Sequence, residues 1–221
     1  MEPIIVLNLK AYRESAGEKG IRLCEIASEV SLLTGVRIIV APQMLDLKDA
    51  AKTGTDIFAQ HVDPNEPGAY TGDVTLEAIK EAGCKGTILN HSEHRIPLDD
   101  VRKVVEMAKN FGIETLVCAA SPRESATIAA LTPTYVAVEP PELIGSGISV
   151  STAKPEVITD TIKIVREIGD IPVLCGAGVS NASDVRKAIE LGADGVLLAS
   201  AFVKAADPKA LLMEMANALK G

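Results

Sequence analysis

Tryptophan is absent from the chain, and three tyrosines and three phenylalanines are its only aromatics among 221 residues. A core of this size must be filled by Val, Ile, Leu and Ala. That suits helices packed on a parallel sheet, whose buried strands read as β-branched apolar runs. Cysteine is also scarce and scattered. Cys24, Cys84, Cys118 and Cys175 include no Cys-x-x-Cys pair, which argues against a disulfide framework or a zinc knuckle and for reduced, buried thiols. Positive charge is short as well: 22 Lys and Arg face 30 Asp and Glu, a net charge of −8. Such a balance speaks against a general nucleic-acid or membrane-surface binder but leaves room for a local basic pocket. Long apolar runs are missing. Ile4 to Leu7 is too short for a signal, and no later run nears the roughly 18 residues of a membrane span, so the chain reads as cytoplasmic.

What is present is a rhythm. Short apolar runs recur at Ile4-Leu7, Arg37-Ala41, Asp56-Gln60, Gly86-Asn90, Glu114-Ala119, Thr134-Val138, Ile171-Cys175 and Gly195-Ala199, eight in all. Helix signals lie between them. Ile21, Ile26, Val30 and Leu33 set out the apolar face of a first helix. Asp99 is placed to cap a helix carrying Val101, Val104, Val105 and Ala108. Ser121-Pro122-Arg123-Glu124 combines a capping box with proline at the first helical position. Lys154-Pro155, Ser180 or Asn181, and Asp207-Pro208 open the last helices. Those after the second and third runs are fainter, around Leu45-Lys52 and Thr75-Ala82. Eight strand–helix units without a linker, repeat or low-complexity tract point to one α/β domain over residues 1–221, a (β/α)8 barrel. One connection, His61 to Asp73, is long and carries Pro64, Pro67, Gly68 and Gly72. A loop of that length is usually functional or an interaction element.

In such barrels chemistry gathers at the C-terminal ends of the strands. The first run ends Asn8-Leu9-Lys10, the fourth Asn90-His91-Ser92-Glu93, and the sixth at Glu139. A lysine, a histidine and a carboxylate thus converge on one rim. Pro140 and Pro141 fix the chain's exit after Glu139, and Glu142 to Gly147 contains two glycines. A charge at a buried strand end, a stiff hinge and a bendable loop fit a catalytic base under a lid; a Glu that merely ends a strand and faces water fits as well. Gly176, Gly178, Ala199 and Ser200 have little side chain, so backbone N–H groups can reach a bound anion after the last two strands. His91 and His94 suggest a metal, but the only other histidine is His61, and His91 is better read as catalytic. Glu93 and Arg95 could form a supporting ion pair. Lys10 could be a fixed cation facing a phosphate or a developing negative charge, or a Schiff-base nucleophile.

These groups together resemble the triosephosphate isomerase family, in the short form found in archaea. Asn8-Leu9-Lys10 resembles its first strand end, and Asn90-His91-Ser92-Glu93-His94-Arg95 its histidine motif. Gly68-Ala69-Tyr70-Thr71-Gly72-Asp73 resembles its interface loop, and Val138-Glu139-Pro140 with Ile144-Gly145-Ser146-Gly147 its base and lid. The likeness runs through the whole chain in order. Three departures from bacterial and eukaryotic members stand out. Only 48 positions separate His91 from Glu139, Pro141-Glu142-Leu143 replaces Val-Trp-Ala in the lid, and Cys-Gly-Ala-Gly replaces Tyr-Gly-Gly-Ser after strand seven.

The resemblance implies a TIM barrel that interconverts dihydroxyacetone phosphate and D-glyceraldehyde 3-phosphate in glycolysis and gluconeogenesis. It assigns Glu139 as base, His91 as the polarising and proton-shuttling group, and Lys10 with Asn8 as charge support. This family is itself the reference case for a Glu base beside a neutral His held so by a helix N-terminus. It implies phosphate binding at Ile144, Gly145, Gly178, Ala199 and Ser200, with Asn8 and Lys10, and a lid over 140–147. Glu93 and Thr71 would be supporting residues, Thr71 by reaching from loop 61–73 toward Asn8 and Lys10 of a neighbouring subunit. It implies no metal or cofactor. Trimmed helices between strands four and six would leave apolar faces for a homotetramer, with a dimer as the fallback. A Schiff-base aldolase using Lys10, a non-catalytic phosphosugar binder, and a metal-dependent hydrolase using His91 and His94 are the competing readings.

Overall fold

Nearly every strand residue is buried, and successive side chains point to opposite faces, so two separate apolar layers are built from one set of strands. The computed structural model describes residues 2–140, 143 and 149–220. Its strands are β1 Ile4–Asn8, β2 Ile38–Ala41, β3 Asp56–Ala59, β4 Gly86–Leu89, β5 Glu114–Ala119, β6 Tyr135–Val138, β7 Val173–Gly176 and β8 Gly195–Leu198. They pair in parallel with their sequence neighbours, and β8 returns to β1 with Ile5 opposite Val196, closing the barrel. Ile4, Val6, Ile39, Phe58, Ile88, Leu116 and Leu174 fill its interior. The alternate residues, among them Ile5, Leu7, Val40, Ile57, Leu89 and Val117, face the helices. The scarcity of aromatics is met by giving Phe58 and Tyr135 to the barrel interior. A Cβ on Gly86 would lie 2.4 Å from the Phe58 ring, so the smallest residue on β4 makes room for the largest on β3.

The helices are α1 Glu18–Thr34, α2 Leu47–Ala50, α3 Leu76–Glu81, α4 Leu98–Phe111, α5 Pro122–Ala129, α6 Val150–Ala153, α7 Pro155–Ile168, α8 Ala182–Glu190, α9 Ser200–Val203 and α10 Pro208–Ala218. Several caps are as the sequence suggests. The side chains of Ser121, Asn181 and Asp207 each accept a backbone N–H three residues on, from Glu124, Asp184 and Ala210. The capping box is incomplete: the Glu124 carboxylate accepts from the N–H of Ala120 rather than of Ser121.

Two helix expectations fail. Leu33 does not face the barrel; it is 64% exposed, and Leu23, Cys24, Ala27, Val30 and Thr34 form the inward stripe of α1. Small residues let the helix lie close, and Thr34 caps its own last turn through Val30 O, which leaves Leu32 and Leu33 outside. Asp99 does not cap α4, because the helix already starts at Leu98 with Pro97 in the cap position, two residues earlier; Asp99 sits in its first turn and pairs with Arg102. Nor is an apolar face bare between β4 and β6. Among the described residues the exposed large apolar side chains are Leu32, Leu33, Leu45, Tyr70, Leu98 and Ile168, and only Leu98 lies on α4 or α5.

At the N-terminal end of the barrel Arg37 closes the bottom. Its guanidinium donates to Asp56 at 2.8 Å, Glu114 at 2.9 Å and the Tyr135 hydroxyl at 2.6 Å, tying β2, β3, β5 and β6 together. The described part of the chain contains no helix long and apolar enough to cross a membrane.

Candidate active site

At the opposite end the strands release their polar residues. Asn8, His91 and Glu139, from β1, β4 and β6, are all buried, and with Lys10 they line one cavity of about 300 Å³. Ala177, Gly178, Ala199 and Ser200 line it from the other side. The structure thus brings together the lysine, histidine and glutamate singled out in the sequence, and sets the small-residue loops opposite them. Ile144 and Gly145, and the lid 140–147 apart from Pro140 and Leu143, lie outside the described residues.

The backbone here is forced into unusual shapes. Lys10, Asn90 and Ala177 adopt positive φ of 47°, 57° and 73° without being glycine. Such residues persist only where their surroundings fix them. Lys10 is held by its own N–H donating to Asn8 Oδ1 at 3.0 Å and by Gln60 Nε2 donating to its carbonyl at 3.0 Å. Asn90 is held from several sides: its amide donates to Cys118 O and Glu124 Oε1, and its Oδ1 accepts from Ile96 N–H. Asn90 thus turns the chain so that His91 points into the cavity.

The His91 ring has a defined tautomer. Nδ1 lies 3.2 Å from the Glu93 N–H and must accept from it, so the ring proton of the neutral imidazole sits on Nε2. Nε2 faces the Glu139 carboxylate, with Oε2 at 3.4 Å. That contact lacks hydrogen-bond geometry, and Glu139 Oε2 is a buried oxygen without a hydrogen-bond partner; so is Ser92 Oγ. Unsatisfied buried oxygens are expensive. Of the two residues, Glu139 lines the cavity, where a substrate's carbon-bound hydrogens would meet its carboxylate.

Glu139 is fixed by sterics as much as by bonding. Its N–H donates to Ala119 O at 2.8 Å. A Cβ on Gly176 would lie 2.5 Å from Glu139 Cγ and 2.9 Å from Oε1, so β7 must carry glycine there for the carboxylate to occupy its place. The buried Cys118 thiol is pushed far up by desolvation and further by the Glu139 charge, so it stays a neutral neighbour of the carboxylate.

Charge partners differ from the sequence expectation. Glu93 and Arg95 do not pair. The turn after β4 sends them apart: Glu93 Oε1 receives Lys10 Nζ at 2.8 Å, while Arg95 pairs with Glu124 across the β5–α5 junction. His94 stacks on His61 at 4.2 Å between ring centres, turned away from His91. Loop 61–73 is closed at its neck, where Asp63 and Val74 exchange backbone and side-chain hydrogen bonds. Burial would raise the Asp63 carboxyl, but the Val74 N–H and His61 outweigh it and hold it below the usual range. Thr71 stands exposed on this loop.

Sequence reading passed over three residues. Gln60 ties Lys10, and Tyr12 and Lys204 line the cavity, the Lys204 ammonium standing 4.5 Å from the centre of the Tyr12 ring. Only one cue existed for Lys204. It follows Ser200 by four positions, hence one helical turn later on the same face.

Residues 3–219 match the family model described as triosephosphate isomerase. Among curated relatives carrying that name, the protein of Methanocaldococcus jannaschii is 49% identical over 214 residues, covering 96% of this chain and 98% of its own. That of Methanothermus fervidus is 50% identical over 215 residues, covering 96% and 97%. That of Caldivirga maquilingensis is 48% identical over 221 residues, covering 99% and 98%. With a match of this length laid over a closed parallel barrel and its polar rim, the chain belongs to the triosephosphate isomerase family.

Proposed function

We propose that this protein interconverts dihydroxyacetone phosphate and D-glyceraldehyde 3-phosphate through an enediolate, serving glycolysis and gluconeogenesis. The observation that carries the reading is the facing pair in one cavity: an unsatisfied Glu139 oxygen against the proton-bearing Nε2 of His91. Glu139 takes a proton from the carbon beside the carbonyl and returns it to the neighbouring carbon. His91 donates from Nε2 to the carbonyl oxygen and moves protons between the two oxygens. Lys10 and Asn8 stabilise the negative charge that develops, an arrangement worth most where water is excluded. Glu93 positions Lys10 and, through its N–H, the His91 ring. The phosphate lies against Gly178, Ala199 and Ser200, and Ile144 and Gly145 in lid 140–147 close over it. No metal or cofactor enters this scheme, since the carbon acid is activated by proton transfer alone.

The protein is taken to be a cytoplasmic homotetramer, with a dimer as the smaller alternative. Loop 61–73 carries Tyr70, 52% exposed, and Leu45 nearby in sequence to Met44 is 98% exposed. A second cavity of about 480 Å³, lined by Lys10, Met44, Glu93 and His94, adjoins the site. A neighbour's loop docked there would bring its Thr71 to Asn8 and Lys10.

The test is conversion of glyceraldehyde 3-phosphate in D2O. A product carrying solvent deuterium on carbon supports proton abstraction and return. No conversion of either triose phosphate would overturn the reading. Trapping of substrate on Lys10 by borohydride would replace it with the aldolase.

A further inference from the structure

We infer that Lys204, held against Tyr12, is a specificity-determining residue that supplies a second cation, beside Lys10, for the substrate's phosphate. This rests on the isomerase reading for the identity of the substrate.

The reasoning begins with charge. Apart from the Tyr12 phenol, the ionisable groups lining the cavity are Lys10, His91, Glu139 and Lys204. Lys10 has its ammonium 2.8 Å from Glu93, and what charge it offers beyond that pair serves the reacting oxygens in the proposed function. Glu139 is anionic when it acts as base. A site made of Lys10, Glu93 and Glu139 is therefore net negative, within a chain of net charge −8. A phosphate dianion entering it would be repelled. Among the described residues Lys204 is the one further cation on the cavity wall, and its recorded contact is a ring rather than a carboxylate. Its charge is thus available.

Geometry places that charge at the phosphate end. Lys204 closes the single turn of α9, its N–H donating to Ser200 O at 2.9 Å, so its side chain shares a face with Ser200. Tyr12 stands across from it on the loop after β1. That loop is rigid: Tyr12 O accepts from Gln43 Nε2 at 3.0 Å and from Ser15 N–H at 3.1 Å. A tyrosine face 4.5 Å from the ammonium restrains an otherwise exposed lysine without neutralising it. Pairing with a carboxylate would hold it equally well and cancel its charge. The Tyr12 ring also joins the loops after β1 and β8, the two strands whose pairing closes the barrel.

The test compares Lys204→Gln, which keeps the stem, with Lys204→Arg, which keeps the charge. Three quantities are read on the full-length protein: kcat/KM for glyceraldehyde 3-phosphate, deuterium incorporation into D-glyceraldehyde in D2O, and inorganic phosphate affinity by calorimetry. Lys204→Gln should lower kcat/KM and phosphate affinity about tenfold, the size of one charged hydrogen bond, mainly through KM. D-glyceraldehyde, which has no phosphate, should lose less than about twofold, and Lys204→Arg should recover most of the loss. Equal losses on both substrates would make Lys204 a mere brace for the loop. Unchanged kinetics and phosphate affinity would make it a surface lysine. Either result overturns the inference. Should the wild type be inert toward triose phosphates, the calorimetry still decides: tenfold weaker phosphate binding upholds Lys204 while the isomerase reading falls.

Discussion

The two ends of the barrel are made of similar residues used in opposite ways. At the N-terminal end Arg37 meets Asp56, Glu114 and Tyr135, and the charges there largely answer one another, although Glu114 Oε2 has no partner. At the C-terminal end Glu139 and His91 face each other without a hydrogen bond, Ser92 Oγ is unpartnered, and Lys10, Asn90 and Ala177 sit at positive φ. One end has most of its polar groups paired, as a stabilising network would. The other keeps more of them open, at a cost borne by the surrounding packing, and is the end to which the proposed function assigns the chemistry. Satisfied charges and reactive ones differ here in partners, not in kind.

That contrast can be broken from either side. The largest effect is expected from Glu139→Gln, which removes the proposed base at constant size. The turnover number should fall by roughly 10²–10⁴-fold. Its unfolding midpoint should match or exceed the wild type's, because an unsatisfied buried carboxylate is replaced by a neutral amide. Gly176→Ala should come next. The position has no left-handed φ to forbid alanine, so the effect is purely the Cβ driven into Glu139. A displaced base of about 1 Å is worth on the order of 10²-fold in turnover. Steady-state kinetics should show this loss in kcat with KM little altered; an unaltered kcat would mean the carboxylate has other room.

Arg37→Gln attacks the other end. Removing one partner of a buried pair costs roughly 3–5 kcal/mol, but the Arg37 side chain is 34% exposed. Screening should trim the loss to about 1–3 kcal/mol, read from urea unfolding. Activity of the folded fraction should stay at the wild-type level. The smallest effect concerns pH. Burial, reinforced by Glu114, pushes the Tyr135 phenol from 10.0 up to about 12. Below pH 10 neither state ionises. Between 10 and 12 the unfolded chain loses this proton and the folded one keeps it, so stability falls as pH rises through that window. Tyr135→Phe should flatten this part of the stability profile. An equally steep profile would place the alkaline loss in other groups, such as the buried Cys24 thiol, also pushed up to about 12.

The strands were legible because a strand buried on both faces must be an apolar run, and all eight runs became strands within a residue or two of their expected ends. The helix face of α1 was legible only in part, at Val30, because its inward stripe also uses Cys24, Ala27 and Thr34, which carry little apolar signal, while Leu32 and Leu33 carry much and lie outside. Strand ends revealed Asn8, Lys10, His91 and Glu139 as neighbours, since the barrel fixes where strand ends meet. Their partners were hidden. Lys10 with Glu93, Arg95 with Glu124 and Lys204 with Tyr12 join residues far apart in sequence, and no spacing rule links such pairs. Gly176 looked like a turn residue for an anion; its sharper constraint, room for the Glu139 side chain, exists only once β6 and β7 lie side by side.

The most direct measurement sets Glu139→Gln beside Arg37→Gln and records turnover of glyceraldehyde 3-phosphate and unfolding free energy for both. The expected result is a crossed pattern: the first variant loses turnover and keeps stability, the second loses stability and keeps turnover. Parallel losses in both quantities, or a Glu139→Gln protein that still turns over at the wild-type rate, would contradict the division of the barrel into a stabilising end and a reactive one.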